Sequence, residues 1–328
     1  MPPTLADFRF APLFDVAVAS RIGAGPAART RAENQDNFVV IDFDGRACRL
    51  HEQQPRCERI AGWPSGHGRI AVLDGMGGHG HGREAAEALA AALLALPPCA
   101  SLDELCTRLD ALHATLQARF AHPADAAARP GTTLTLLELR LEAAPLLYHV
   151  GDSRLYQLGP ERATCLSIDH VPATVAALAG RLGEADWRRQ VHGRHGPQIA
   201  QAFILGNAFA DPARLSDGLF ALDAGNLPDW LAHLADRRAL PLQRDCAYLL
   251  ATDGFWSCAA PDAFVAHWPA LLEGGPDAAT LVERMFGLFE TQPPEGLQPD
   301  NLTVLVLRPL ARPADETILP GLAQQTVI

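Results

Sequence analysis

Five aspartates stand at the mouths of apolar runs. Asp36 precedes "NFVVI", Asp74 closes "RIAVL", Asp152 follows "LLYHVG", Asp253 closes "YLLAT" and Asp300 precedes "NLTVLVL". Each has Gly or Asn beside it. If those runs are strands of one layered core, their ends can converge and gather the carboxylates at one edge. Carboxylates held close raise one another's pKa and protonate unless cations bind. Hard divalent cations such as magnesium and manganese answer this with octahedral oxygen ligands. Two such ions, about 3.5–4 Å apart, can line up a hydroxide on a phosphorus. Asp-Gly is also the commonest hairpin turn, and Asp44-Gly45 and Asp217-Gly218 read as turns. Asp74 differs because a helical pattern, not a strand, follows it.

The glycine-rich loop after Asp74, "DGMGGHGHG", could cradle a phosphate, hold a metal or simply turn the chain. Composition bears on the choice. All 27 basic residues are arginine. Without lysine there is no phosphate-loop NTPase, no kinase ATP lysine and no Schiff base. The net charge of −11 disfavours nucleic acid and anionic membranes as partners. No apolar run reaches the roughly 18–20 residues that span a bilayer. The first residues lack the basic-then-apolar pattern of a signal peptide, so a cytoplasmic protein is the expectation. Seven cysteines at irregular spacing, with no CxxC, predict neither a disulfide framework nor a zinc site. They read as small buried apolar residues.

The elements that must position the aspartates can be traced along the 328 residues. Alternation and β-branched content predict strands near 14–21, 37–43, 69–74, 132–141, 145–150, 153–158, 245–252 and 301–307. The runs at 132–141 and 145–150 read as a hairpin. Only "GD" precedes the next run, which predicts a further antiparallel neighbour. Helical patterns lie near 82–96, 101–121, 171–180, 184–191, 262–272 and 277–290. Ser101 and Glu104 form a capping box for the second. Residues 44–68 read as an irregular hairpin excursion, and 207–243 as an insertion with a helix near 226–237.

Seven segments in this order resemble the metal-dependent protein phosphatases of type 2C, the PPM family, in their bacterial form. They are "RAENQDNFVV", "VLDGMGGHGHGREAAE", "GTTLTLLEL", "HVGDSRLYQL", "LSIDH", "LLATDGFWS" and "PDNLTVLVL". The resemblance implies an α+β fold, a four-layer αββα sandwich of two antiparallel sheets flanked by helix pairs. It implies a catalytic domain over 1–308, with a flap at 171–206 and a tail at 309–328. It implies two divalent metal ions, Mg or Mn. Asp74 would bridge them and the Gly75 carbonyl would ligate one. Asp253 and Asp300 would complete the first shell, and Asp36 would hold the second ion. Asp152, with Asp253, matches a third metal position. Arg31 matches the arginine that clamps the phosphate, a forked donor suited to a dianion.

The activity implied is hydrolysis of phosphoserine and phosphothreonine in proteins by a metal-bridged hydroxide. Asp74, Arg31 and Asp253 are its catalytic residues. The partners implied are phosphorylated proteins and a bacterial serine/threonine kinase that the enzyme would oppose. An inactive phosphoprotein-binding scaffold and a phosphatase of one dedicated regulator are the rival readings. Two departures stand out: Gln35 replaces a glutamate, and Met76 replaces a histidine proposed as general acid. Asn301 and His79 are secondary site candidates. His81 reads chiefly as a loop or surface residue, His170 as a structural hydrogen-bonding residue, and Ser153 and Arg154 as braces for the Asp152 loop. Arg188, Arg189, Arg194 and His195 in the flap could meet a phosphoprotein, and residues 207–243 could set partner choice.

Overall fold

Strands covered on both faces read as continuous apolar runs, and the strands leading to the aspartates are of this kind. The computed structural model describes residues 8–23, 31–77, 81–121, 129–194, 196 and 198–310. His79, His195 and the tail beyond residue 310 lie outside them. The first half of the chain forms β1 (Phe14–Arg21), β2 (Asn37–Ile41), β3 (Arg46–His51), β4 (Gln54–Arg59), β5 (His67–Leu73) and β6 (Gly75–Met76). Helices α1 (His81–Ala95) and α2 (Leu102–Arg119) follow. Next come β7 (Gly131–Thr132), β8 (Leu134–Arg140), β9 (Ala143–Val150), β10 (Arg154–Leu158) and β11 (Ala163–Cys165). The next segment carries α3 (Pro172–Leu178), α4 (Glu184–Val191), β12 (Gln201–Ala202) and β13 (Gly206–Asn207). The chain continues through β14 (Arg237–Ala239), β15 (Ala247–Ala251), α5 (Pro261–Val265), α6 (Ala278–Thr291) and β16 (Leu302–Pro309).

Two large antiparallel sheets result. One has seven strands in the order β14-β9-β8-β5-β2-β3-β4, and the other has five in the order β1-β16-β15-β10-β11. Side-chain alternation sorts the apolar residues into layers. Phe38, Val40, Ile70 and Val72 meet Tyr248, Leu250, Leu305 and Leu307 between the sheets. Val39, Ile41, Ala71 and Leu73 point the other way, onto Leu89 and Leu93 of α1 and Leu105 and Leu109 of α2. Leu249, Val304 and Val306 likewise pack on Met285, Phe286 and Phe289 of α6. The arrangement is the four-layer αββα sandwich.

Several expectations need correction. β10 does not pair with β9: Gly151, with φ +113°, carries the chain from one sheet to the other, where β10 pairs with β15. A Cβ there would lie 2.6 Å from Thr133 Cγ2, so the crossing needs glycine. The 44–68 excursion contains the expected hairpin, but β3–β4 is regular rather than irregular, turning at Glu52 and Gln53 with positive φ at both. No α-helix forms at 226–237, only a 3₁₀ turn at Ala232–Leu234. The pattern at 262–272 splits into α5 and a 3₁₀ segment, Trp268–Leu272, because Pro269 cannot continue a helix from Val265. Cys48 and Cys57 face each other across that hairpin and form a disulfide, so two of the cysteines are not isolated apolar residues.

Residues 207–243 are built into the molecule rather than appended to it. Leu222, Leu227, Leu231 and Leu234 share a small core with Ile168 and with Trp187 and Val191 of α4. Helix α4 therefore rests on this segment. Among the described residues no helix is long and apolar enough to cross a membrane.

Candidate active site

Strand register brings the aspartates together. In the β2–β5 pair Asn37 faces Leu73, so Asp36 before one strand and Asp74 after the other lie side by side. In the β15–β16 pair Ala251 faces Val304, which places Asp253 and Asp300 at one end of the second sheet. Arg154 of β10 faces the same Ala251, so Asp152 joins them. The sheets stack with these ends aligned. The Asp74 carboxyl feels the charges of Asp36, Asp253, Asp300 and Asp152.

Hydroxyls and amides hold the edge in place. Thr252 Oγ1 donates to Asp36 Oδ2 at 2.8 Å. The Asp74 N–H donates to Thr133 Oγ1 at 2.9 Å, and Thr133 Oγ1 lies 2.6 Å from Ser153 Oγ. Asn301 links three segments. Its Oδ1 accepts the Gln35 N–H at 2.9 Å, and its Nδ2 donates to the carbonyls of Ile22 and Glu33. Gly75 sits where a Cβ would lie 2.4 Å from the Gly82 carbonyl oxygen and 2.5 Å from that of Gln35. Only glycine fits, and its neighbours are the loop of Asp36 and the start of α1. Gln35 turns its side chain to Glu33, donating from Nε2 at 3.0 Å.

The site carries a surplus of negative charge. Burial pushes Asp36 up to about 7, against the pull of hydrogen bonds from Thr252 and Thr303. Burial also pushes Asp152 up to about 7, with the Asp169 carboxylate adding to it. Burial and the neighbouring carboxylates hold Asp74 and Asp253 well above the usual range. Asp300 is raised by burial, while Arg31 pulls it down. Among the described residues, no three His, Cys, Asp or Glu side chains close on one ion by themselves. The donor set still suits hard divalent ions. Magnesium-like ions keep several waters and need only one or two carboxylates each, and cations relieve the mutual repulsion.

Arginines surround the acid edge. Arg31 is exposed and reaches Asp300 Oδ1 at 2.6 Å and the Pro299 carbonyl at 3.1 Å. Asp152, Arg189 and Arg194 line a cavity of about 700 Å³. Arg194 also lines the neighbouring cavity of about 610 Å³, together with Arg31 and Asp300. Arg188 lies off these cavities, on the far side of α4, in a pocket with Trp230 and His233. His81 is exposed at the start of α1 beside Glu84. Arg154 is buried, forks onto both oxygens of Asp169 and donates to the Val191 carbonyl. It thereby ties the Asp152 loop to the end of α4.

Sequence reasoning missed the hydroxyl supports Thr133, Thr252 and Thr303, and it missed Asp169 as the partner of Arg154. Threonine is ordinary in strands, so its type alone carries no signal. Only Thr252, next to Asp253, offered a clue by its position.

Stacked antiparallel sheets between helix layers are also the fold of solved PPM-type serine/threonine phosphatases. Three solved structures illustrate it. PstP/Ppp of Mycobacterium tuberculosis is 22% identical with a TM-score of 0.57, covering 91% of this chain and 100% of its own. PppA, a regulatory component of T6SS in Pseudomonas aeruginosa, is 21% identical with a TM-score of 0.56, covering 90% and 98%. A PstP catalytic domain in complex with two manganese ions is 21% identical with a TM-score of 0.55, covering 91% and 99%. No protein-family model matches the sequence, and no curated protein does.

Proposed function

We propose that this chain is a PPM-family, metal-dependent phosphatase of phosphoserine and phosphothreonine in proteins. One observation carries the reading. Five carboxylates from two sheets crowd one edge beside an exposed arginine, a charge pattern that calls for divalent cations and then for an anion. Asp74 sits among the other four carboxylates and would be shared between two ions, magnesium or manganese. Asp36 would serve one side, Asp253 and Asp300 the other, and the Gly75 carbonyl would add an oxygen. Asp152 with Asp253 would serve a third ion. Bound there, the ions would supply the positive charge that activates water near neutral pH and neutralises phosphate.

The protein's own residues do the rest. Arg31 offers a planar fork to the phosphate oxygens, at the mouth where Asp300 orients it. Arg189 and Arg194 line the approach and would meet a phosphorylated segment of a protein, the product of a serine/threonine kinase. Met76 has no proton to give, so the leaving alkoxide takes its proton from water in the cavity. A cytoplasmic phosphoprotein substrate belongs to this reading, although the Cys48–Cys57 bridge is more usual outside reducing compartments.

The test is aryl-phosphate and phosphopeptide hydrolysis with manganese, with EDTA, and with Asp253→Asn. Turnover that needs manganese and is lost in the variant is expected. Metal-independent turnover, or full activity of the variant, overturns the site. Phosphopeptide binding without turnover under any metal would establish the scaffold instead.

A further inference from the structure

The segment between the flap and β15 reaches the acid edge through one histidine. Asp236, immediately before β14, is fully buried. Its N–H donates to the Leu222 carbonyl at 2.9 Å, and its own carbonyl accepts the His149 N–H at 2.9 Å. Its Oδ2 accepts the Leu222 N–H at 3.0 Å and lies 3.3 Å from His170 Nε2. That approach falls short of hydrogen-bond geometry, and among the described residues Nε2 has no hydrogen-bond partner.

His170 is also fully buried, and its proton can be placed. Nδ1 accepts the Gly151 N–H at 3.1 Å. It also faces the Gln201 side-chain nitrogen at 3.0 Å. The Gln201 amide is oriented by its other contacts: Oε1 accepts the Phe220 N–H at 2.6 Å, and Nε2 donates to the Phe220 carbonyl at 3.0 Å. Two donors on Nδ1 leave no place for a proton there. The proton of the neutral ring therefore sits on Nε2, toward Asp236.

The other end of this chain is the sheet crossing. The His170 N–H donates to the Gly151 carbonyl at 2.8 Å, so one histidine holds both the N–H and the carbonyl of Gly151. The next residue is Asp152. Without Asp236 the buried Nε2–H loses the carboxylate 3.3 Å away, a costly change for a buried donor. Turning the ring to find another acceptor would release the Gly151 N–H.

We propose that Asp236 is a positioning residue for Asp152: its carboxylate faces His170 Nε2 at 3.3 Å, orients the ring, and so holds the Gly151–Asp152 turn at the acid edge. The role given to Asp152 rests on the phosphatase reading. The Asp236–His170–Gly151 chain does not.

The test compares wild type, Asp236→Ala and Asp236→Asn in the full chain. In Asp236→Ala the Gly151 amide exchanges with solvent at least about tenfold faster, while β15 amides keep their rates. The manganese concentration for half-maximal aryl-phosphate hydrolysis rises roughly tenfold, as when the support of a metal ligand is lost, with kcat at saturating manganese nearly unchanged. Asp236→Asn presents an amide oxygen to the same two donors and restores both readouts. An unchanged Gly151 exchange rate in Asp236→Ala overturns the proposal. So does a wild-type His170 that carries its proton on Nδ1 by nitrogen NMR, a reading that needs no variant to fold. If wild type hydrolyses nothing with any metal, the phosphatase reading fails, and the exchange and tautomer results still decide this one.

Discussion

Thr252 Oγ1 donates to Asp36 Oδ2 across 2.8 Å and thereby ties the acid ends of the two sheets together. Thr252 follows β15 in one sheet, and Asp36 precedes β2 in the other. The Thr303 N–H donates to the same hydroxyl at 3.0 Å, so the hydroxyl hydrogen is free to point at the carboxylate. A buried carboxylate needs such donors, and a single methyl-for-hydroxyl exchange removes this one.

Thr252→Val keeps the shape and deletes the donor. The Asp36 carboxylate then loses a partner in a buried place, a change of about 1–3 kcal/mol. A lower melting temperature and a higher manganese requirement are expected together. Thermal melts and a manganese titration of hydrolysis check this. Wild-type values for both would show that the bond is idle.

Asp253→Asn has opposite effects in two conditions. Burial, then Asp300, Asp152 and Asp36, push the Asp253 carboxyl up. With metals stripped at pH 8, removing one of these repelling charges should raise the melting temperature above wild type. With manganese present the order should reverse, and hydrolysis should fall roughly 10²–10³-fold, the scale for losing one charge-stabilising group. Calorimetric melts in EDTA and in manganese make the comparison. An equal drop in both would mean that the aspartate serves packing alone.

Much of this edge was legible in the sequence because of how the strands are buried. "RIAVL" and "NLTVLVL" are apolar at every position or nearly so, since β5 and β16 each have one face on a sheet and one on helices. Strand ends were therefore visible, and so were the aspartates beside them. Register was not visible, because pairing depends on partners far away along the chain. The hairpin at 44–68 was expected but its regularity was not, because Glu52-Gln53 makes its turn without the Asn-Gly or Asp-Gly pair that marks one. Its edge strand β4 is mostly exposed, so it lacks apolar alternation. Asp236 was missed because it lay in a stretch read as an insertion with a helix, where a lone aspartate reads as a solvated charge. Its significance comes only from meeting His170.

Gly75→Ala tests the backbone side of the site. The added methyl would lie 2.4 Å from the Gly82 carbonyl oxygen and 2.5 Å from that of Gln35, and both are backbone atoms that cannot rotate away. Overpacking of this kind costs about 1–3 kcal/mol. The loop of Asp36 or the start of α1 must shift, so the metal requirement should rise along with the loss of stability. A folded variant with wild-type melting temperature and wild-type manganese titration would refute the close approach.

His113 gives a pH dependence located away from the acid edge. It lies on α2, buried against Phe203, and its Nδ1 accepts the Ile204 N–H at 2.9 Å. Burial pushes its pKa down to about 4. The unfolded chain has an ordinary histidine near 6.5. Between these values the unfolded state binds more protons, so this histidine's contribution to stability falls as pH drops from about 6.5 toward 4. His113→Asn offers an oxygen to the same N–H and cannot charge. The stability of wild type relative to this variant should therefore decline over that window, by up to about 3 kcal/mol. Urea unfolding of both proteins at pH 7.5, 6, 5 and 4 measures the difference. A difference that stays constant with pH would mean that His113 titrates as freely in the folded protein as in the unfolded one.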